Sequence, residues 1–256
     1  NFNMSSGEVR QIKTKRCESL TVYIQGDVSQ FEAAIITCHD LGCNYNTFLD
    51  FLAHPHMDPI AKRCLWVHLN VPGQGDGDEA LSSSFQFPSI QDIADDLIEV
   101  VEELKLKNIV LFGEGAGANV LARFAIAHSE QVYGAVLIHC TGSTAGFMET
   151  VREKFVGMKL ESEGMNPKAE DFLVLHRFGT AEVGKMQPDL KNMMENFREN
   201  LRKSINPHNL KCFIDAFHER KNINEAIGNI KCPVLFITGA NASHRKPVQE
   251  LYNSMK

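Results

Sequence analysis

The sequence predicts an α/β fold built on a doubly wound, mostly parallel sheet. Short apolar runs rich in Val, Ile and Leu recur along the chain, and helical patterns separate several of them. These runs occupy residues 31–40, 64–73, 108–115, 132–140 and 232–240. Continuously apolar strands are typical of a parallel sheet that helices cover on both faces. Their alternation with helices favours the doubly wound arrangement.

Composition narrows the class of protein. The 256 residues are 43% hydrophobic and 23% charged, as in a globular protein, and the net charge of -6 argues against binding nucleic acid through phosphate neutralisation. No apolar stretch approaches the roughly 18 residues of a membrane span, and we find no secretory leader. Seven scattered cysteines form no zinc pattern. We therefore expect a cytoplasmic protein with no transmembrane segment, metal or cofactor.

Two helices among these strands have clear sequence signals. The first begins after Ser89, which has the N-cap position of a capping box with Asp92 three residues later. Its apolar residues share one face: Ile90, Ile93, Leu97, Val101 and Leu104. The helix after Gly117 is apolar around most of its circumference, so we expect it to be buried on nearly all sides.

Residues 145–228 interrupt the alternation, because they show helical stretches such as 188–205 and 209–223 but no strand pattern. We expect a helical cap over the carboxyl edge of the sheet, where open α/β sheets bind ligands. The cap would be inserted between a first core part, residues 1–144, and a second core part, residues 229–256. All three would belong to one structural domain.

The segment "GEGAGAN", which begins at Gly113, follows the third apolar run and opens the apolar helix. Its glycine spacing differs from the dinucleotide fingerprint, and it lacks the Lys-Ser/Thr pair of a P-loop. It matches the G-x-S-x-G nucleophile elbow of the α/β-hydrolase fold, with Gly115 at the position of the nucleophile. Glycine cannot attack a carbonyl, but it adopts positive φ freely, whereas serine there stores about 1–3 kcal/mol of strain.

The other catalytic positions are also altered. The acid is expected shortly after the strand that follows the cap, in a G-x-x-D pattern, and Ala242 stands there. The catalytic histidine would follow one further strand, which would lie beyond Lys256. The sequence therefore predicts a degenerate hydrolase.

An oxyanion hole could nevertheless persist. The backbone amides of Leu41 and Ala116 are placed for one and could hold a ligand's carbonyl or carboxylate group. His39 and Glu114 flank these positions. His39 and Asp40 are adjacent at a strand end, so their side chains point apart, and we expect an oxyanion-loop or structural role for His39 rather than a catalytic pair.

Several segments resemble the N-myc downstream-regulated gene family. They are residues 37–48, 67–77, 85–97, 113–139, 220–224 and 232–244, and the resemblance extends from residue 17 onward, with only a loose match in the cap. It implies an α/β-hydrolase-like fold without the triad, in a non-enzymatic cytoplasmic protein of stress response, differentiation, growth control or vesicle trafficking. It also implies that the family's final strand and helix and its phosphorylated tail are missing from the chain.

Two classes of function remain open. The first is an adaptor or signalling protein that binds protein partners, or lipid at a membrane surface, through the cap and the sheet edge. Arg198 and Arg202 lie on a charged helix face that is either this surface or simply solvated. The second is an esterase-like hydrolase with a relocated nucleophile, Cys38 or Ser143. A small-molecule sensor is a variant of the first, because an emptied hydrolase pocket is still a pocket.

Overall fold

A seven-stranded sheet forms the centre of the computed structural model, which describes residues 7–143, 160, 162–179 and 188–256. The strands are β1 (Glu8–Lys13), β2 (Ser19–Gln25), β3 (Ala33–Cys38), β4 (Cys64–Asn70), β5 (Ile109–Glu114), β6 (Val132–Ile138) and β7 (Val234–Ile237), in the order β1-β2-β4-β3-β5-β6-β7. Strands β3 to β7 are parallel, whereas β1 and β2 join the β4 edge in antiparallel pairing. The predicted fold class is confirmed.

All five apolar runs form strands of this sheet, but the hairpin of β1 and β2 was not predicted. Residues in β2 alternate between half-buried and buried, and β1 is largely exposed. Such alternation is typical of an antiparallel edge with one covered face, and it gives no continuous apolar run.

The helices of the described residues are α1 (Asn46–Leu52), α2 (Asp58–Ala61), α3 (Ile90–Glu103), α4 (Gly115–Ala127), α5 (Pro167–Phe178), α6 (Pro188–Lys203), α7 (Pro207–His218) and α8 (Arg245–Ser254). Short 3₁₀ turns occupy Pro55–Met57, Ser129–Gln131 and Ile227–Asn229. In α4, every residue from Gly115 to Ala125 is buried, as its apolar circumference predicted. None of the helices described is both long and apolar enough to cross a membrane.

The capping box of α3 is present as predicted. Ser89 Oγ accepts a hydrogen bond of 3.1 Å from the Asp92 amide, and Asp92 Oδ2 accepts one of 3.1 Å from the Ser89 amide. Three apolar residues of the helix, Ile90, Ile93 and Leu97, are fully buried. The capping box thus fixes where α3 begins, and the apolar face of α3 anchors the helix to the sheet.

In the described part of 145–228, helices α5, α6 and α7 lie between β6 and β7 along the chain, and no strand occurs there. The predicted helical stretches 188–205 and 209–223 form α6 and α7. Helix α5 was not identified from sequence because its buried residues, which include Phe172, Val174 and His176, do not follow one stripe. The remainder of the proposed insertion, 145–159, 161 and 180–187, lies outside the described residues.

We predict that Ser89→Ala destabilises the protein by about 1 kcal/mol, because the Asp92 amide loses its cap. Urea denaturation measures the free energy of unfolding. Ser84→Ala, in an exposed loop, is the matched control and should change this free energy by less than about 0.5 kcal/mol. Equal losses in the two variants would show that the box does not stabilise α3.

Candidate functional site

The turn between β5 and α4 has the sharp geometry expected of a nucleophile elbow. Helix α4 begins at Gly115, whose φ is +54°, directly after the end of β5. Two positions later the backbone passes close to β3, since a Cβ on Gly117 would lie 2.2 Å from the Cys38 carbonyl oxygen. Only glycine fits this close approach at position 117. The turn therefore has the tight geometry of an elbow, although Gly115 at its centre has no side chain.

The carboxylate of Asp40 covers Gly115. A Cβ built on Gly115 would lie 2.0 Å from Asp40 Cγ, so the carboxylate occupies the space that a side chain at position 115 would take. Asp40 Oδ1 accepts a hydrogen bond of 2.8 Å from the Ala116 amide, and the Leu41 amide also stabilises the negative charge. The two amides expected to form an oxyanion hole therefore face a carboxylate that belongs to the chain itself.

Helix α5, which belongs to the proposed cap, places a histidine against this carboxylate. His176, in the last turn of α5, places Nε2 3.1 Å from Asp40 Oδ2, and the two side chains are only 5% and 3% exposed. Burial by itself raises the pKa of Asp40, but the positive charge of His176 and the backbone amides outweigh burial and hold this pKa well below its usual range. The carboxylate therefore stays ionised.

A second histidine completes a hydrogen-bonded chain. His244 Nε2 lies 3.1 Å from His176 Nδ1, at a position two residues beyond Ala242. Burial, followed by the neighbouring charge of His176, lowers the pKa of His244 to about 3, so His244 is neutral. When both of its ring nitrogens are protonated, His176 donates to Asp40 on one side and to His244 on the other.

Arg177, the residue after His176 in α5, pairs with a second carboxylate. Arg177 Nη2 donates a hydrogen bond of 3.0 Å to Glu114 Oε2, and Nη1 donates to Cys43 Sγ. Burial raises the pKa of Glu114, and the Arg177 charge opposes that shift. Adjacent cations of α5 therefore pair with separate carboxylates of the core, at a helix end where positive charge is favourable.

The side chain of His39 hydrogen-bonds to backbone groups and not to the carboxylate of Asp40. Its Nε2 accepts a hydrogen bond of 3.1 Å from the Val71 amide, so Nδ1 carries the proton and lies 3.0 Å from its acceptor, the Asp40 carbonyl oxygen. Burial lowers the pKa of His39 to about 4, which keeps the ring neutral. These contacts favour the structural role over a catalytic one.

Three other positions singled out from the sequence, Ala242, Arg198 and Arg202, lie next to α5 or to the residue that follows it. Ala242 sits beside Gly179, the residue after α5, where a Cβ on Gly179 would be 3.0 Å from Ala242 Cα. Arg202 Nε donates a hydrogen bond of 2.8 Å to Glu170 Oε1, and Arg198 Nη2 donates one of 2.7 Å to Asp171 Oδ1. Both arginines thus join α6 to α5, so a charge reversal at either would also disturb the cap.

Sequence reasoning missed His176, Arg177 and His244. The first two lie on α5, whose apolar residues follow no single stripe and whose segment matched the family only loosely. His244 could have been found from its place just after the expected acid position. Asp40 was noted only as a neighbour of His39, because no local pattern shows that its carboxylate turns over Gly115.

The parallel sheet, the elbow and the helices after β6 define an α/β-hydrolase fold. The structure is similar to a thermophilic esterase from Thermogutta terrifontis, with a TM-score of 0.76, 13% identity and coverage of 97% of this chain and 86% of the esterase. It is also similar to the enol-lactonase from Burkholderia xenovorans, with a TM-score of 0.72, 16% identity and coverage of 92% and 84%.

Within this fold class the chain belongs to the Ndr family, whose pattern matches residues 10–256. It is 35% identical to the uncharacterized protein ZK1073.1 of Caenorhabditis elegans over 95% of this chain and 73% of that protein. It is 26% identical to human Protein NDRG2 over 96% of this chain. The chain spans only 64% of the length of human NDRG2. The family resemblance is confirmed.

We predict that Gly115→Ala destabilises the protein by at least about 2 kcal/mol more than Gly77→Ala. Both glycines have positive φ, +54° and +70°, but a Cβ on Gly77 meets nothing within 4 Å. The control therefore reports the backbone cost alone, about 1–2 kcal/mol. Chemical denaturation gives both free energies of unfolding.

A double-mutant cycle separates the overlap from the backbone strain. In an Asp40→Ala background, Gly115→Ala should cost about as much as Gly77→Ala, because the group that it would strike is gone. An undiminished cost in that background would show that Asp40 does not lie over Gly115.

The buried His39 predicts acid sensitivity. Its folded pKa, about 4, lies below the ordinary value of 6.5, so between these pH values the unfolded chain binds a proton that the folded chain does not. Stability therefore falls as pH decreases from 6.5 to 4, by up to about 1.4 kcal/mol per pH unit from this residue. Denaturation at several pH values should give a shallower slope for His39→Gln, whereas the exposed His56→Gln should keep the wild-type slope.

Proposed function

We propose that this protein is a non-catalytic member of the α/β-hydrolase fold that acts as an adaptor or signalling protein. The observation that carries the proposal is the Asp40 carboxylate, which lies over Gly115 and accepts a hydrogen bond from the Ala116 amide. It fills the place of a nucleophile with a group held ionised.

The chemistry of ester cleavage explains why this arrangement argues against turnover. Acyl transfer needs a nucleophile and donors aimed at the oxyanion that develops on the substrate, and loss of one donor typically lowers kcat by about 10²–10³. Here the donor at Ala116 is engaged by Asp40, whose charge would repel a second anion. Gly115 offers no attacking atom, and Ala242 offers no acid.

A relocated nucleophile finds less support. Cys38 is fully buried, and burial raises the pKa of its thiol, which disfavours the reactive thiolate. Ser143 contributes its backbone carbonyl to a hydrogen bond of 2.7 Å from Arg220. Neither contact resembles a nucleophile activated by a neighbouring base.

A ligand-sensing role has one supporting observation. A cavity of about 710 Å³ lies between the core and the cap. Aromatic side chains such as Phe48, Phe112 and Phe197 line it, together with the Glu114–Arg177 pair. A ligand there would contact Glu114 of β5 and Arg177 of α5. Family membership supports a cytoplasmic place of action in stress response, differentiation, growth control or vesicle trafficking, with protein or lipid partners.

We predict no ester hydrolysis above a heat-inactivated sample for short- or long-chain p-nitrophenyl esters, and no labelling by a fluorophosphonate probe. An active serine esterase assayed in parallel is the positive control. Gly115→Ser and the double variant Asp40→Gly/Gly115→Ser should also remain unlabelled, because the acid is still absent. Turnover or labelling that disappears in Cys38→Ala or Ser143→Ala would identify a working nucleophile and contradict the proposal.

A further inference from the structure

A second cavity, of about 530 Å³, lies at the carboxyl end of β4, away from the elbow. The N-terminal hairpin, the start of α1 and the loop that follows β4 enclose it. Its lining carries four carboxylates, Glu18, Asp76, Asp78 and Glu79. Among the residues that the structure describes, no Lys, Arg or His lines this cavity. The site is therefore negatively charged and open to a cation.

Two tyrosines line the same cavity. The rings of Tyr23 and Tyr45 stack with centroids 4.8 Å apart and planes inclined by 13°. The carboxylates of Asp76 and Asp78 act on Tyr45, since after burial and Tyr23 they are the next causes that raise its pKa. Aromatic faces attract ammonium and guanidinium groups, so rings and carboxylates favour the same kind of ligand.

One residue of the cavity lining, Asn70, has a buried acceptor without a hydrogen-bond partner. Asn70 lines the cavity, is 5% exposed and donates through Nδ2 to the Val71 carbonyl oxygen at 3.4 Å. Its Oδ1 is buried and has no hydrogen-bond partner. A buried polar atom without a partner costs free energy, and an N–H donor of a bound ligand would satisfy this one.

The acidic loop is held in place before any ligand arrives. Asn209 of α7 is fully buried, and its Nδ2 donates hydrogen bonds of 2.9 Å to the carbonyl oxygens of both Gly73 and Glu79. Its Oδ1 accepts one of 2.8 Å from the Leu81 amide. The loop backbone is thereby fixed at both sides of the carboxylates, which lowers the entropic cost of binding.

We propose that this cavity, which we call the acidic tyrosine pocket, binds an arginine or lysine side chain from a basic segment of a partner protein. Within the described part of the chain, no three Asp, Glu, His or Cys side chains converge closely enough to hold a metal ion. The acidic residues instead line a cavity of about 530 Å³, which is large enough for an organic cation. The flat faces of the tyrosine rings can stack on a planar guanidinium. This proposal specifies the class of partner for the adaptor function proposed above, and it rests on that proposed function.

The probe is a fluorescein-labelled peptide of four Arg-Gly repeats, blocked at both ends, measured by fluorescence anisotropy. We expect saturable binding that weakens as salt rises, because part of the attraction is exposed to solvent. The same peptide with citrulline in place of arginine keeps the shape but not the charge, and it should bind at least about tenfold more weakly.

Two matched triple variants test the location. Glu18→Gln, Asp76→Asn and Glu79→Gln together should weaken binding about tenfold. The control removes three charges elsewhere on the exposed surface, through Glu130→Gln, Glu225→Gln and Glu250→Gln, and should change binding by less than about twofold.

Two single variants test the wall of the pocket. Asn70→Leu removes the unpartnered oxygen without changing the side-chain size greatly, so it should weaken binding while leaving the melting temperature unchanged or higher. Tyr45→Leu should weaken binding by removing one ring, and circular dichroism verifies that it folds.

The following results would overturn the inference. They are no peptide binding tighter than about 1 mM, equal weakening by both triple variants, or unaltered binding in Asn70→Leu and a folded Tyr45→Leu. Displacement of the peptide by spermidine at equal charge concentration would assign the pocket to a free polyamine instead of a protein partner. Ester turnover is a separate measurement, so a failure of the adaptor proposal is distinguishable from a failure of this pocket.

Discussion

The carboxylate of Asp40 joins the three parts on which the site depends. It lies over Gly115, accepts a hydrogen bond from the Ala116 amide of α4 and pairs with His176 of α5. A side chain at position 115 is incompatible with this placement, and the placement in turn neutralises the amide dipoles at the helix N-terminus. One buried pair therefore covers the turn at Gly115 and also joins α5 to the sheet edge.

The stability of the buried Asp40–His176 pair depends on the packing of α5 against the sheet edge. Desolvation offsets much of the attraction in a buried salt bridge, so replacing both partners by apolar groups can be neutral, whereas removing one partner typically costs about 3–5 kcal/mol. Asp40 without His176 would be an uncompensated buried charge. Because Arg177 pairs with Glu114 beside it, two neighbouring contacts hold the last turn of α5 to the sheet edge. A ligand in the adjacent cavity would contact the Arg177–Glu114 pair.

Much of the fold could be predicted from sequence because it is encoded locally. Apolar runs specify parallel strands, Ser89 and Asp92 specify the start of α3, and the glycine spacing around Gly115 specifies the elbow. The hairpin of β1 and β2 was missed because an edge strand needs only alternate apolar residues. Helix α5 was missed because it is buried on several sides, so its sequence has no single apolar stripe.

The site was less predictable than the fold. The sequence shows that residue 115 is glycine, but what covers it depends on Asp40 and His176, which are 136 residues apart. No spacing rule links them, since their contact depends on how the cap packs on the sheet. The acidic tyrosine pocket could not be predicted for the same reason. Its residues Tyr23, Tyr45 and Asp76 come from three separate segments that only the folded structure brings together.

The most direct measurement of the central interaction is a carboxyl ¹³C NMR titration of Asp40, assigned by comparison with Asp40→Asn, with the amide signals of Leu41 and Ala116 followed in parallel. A carboxylate held by these two amides is expected to stay ionised below the usual aspartate range, and both amide signals should shift only when it finally protonates. An ordinary aspartate titration that leaves the two amides unchanged would contradict this expectation.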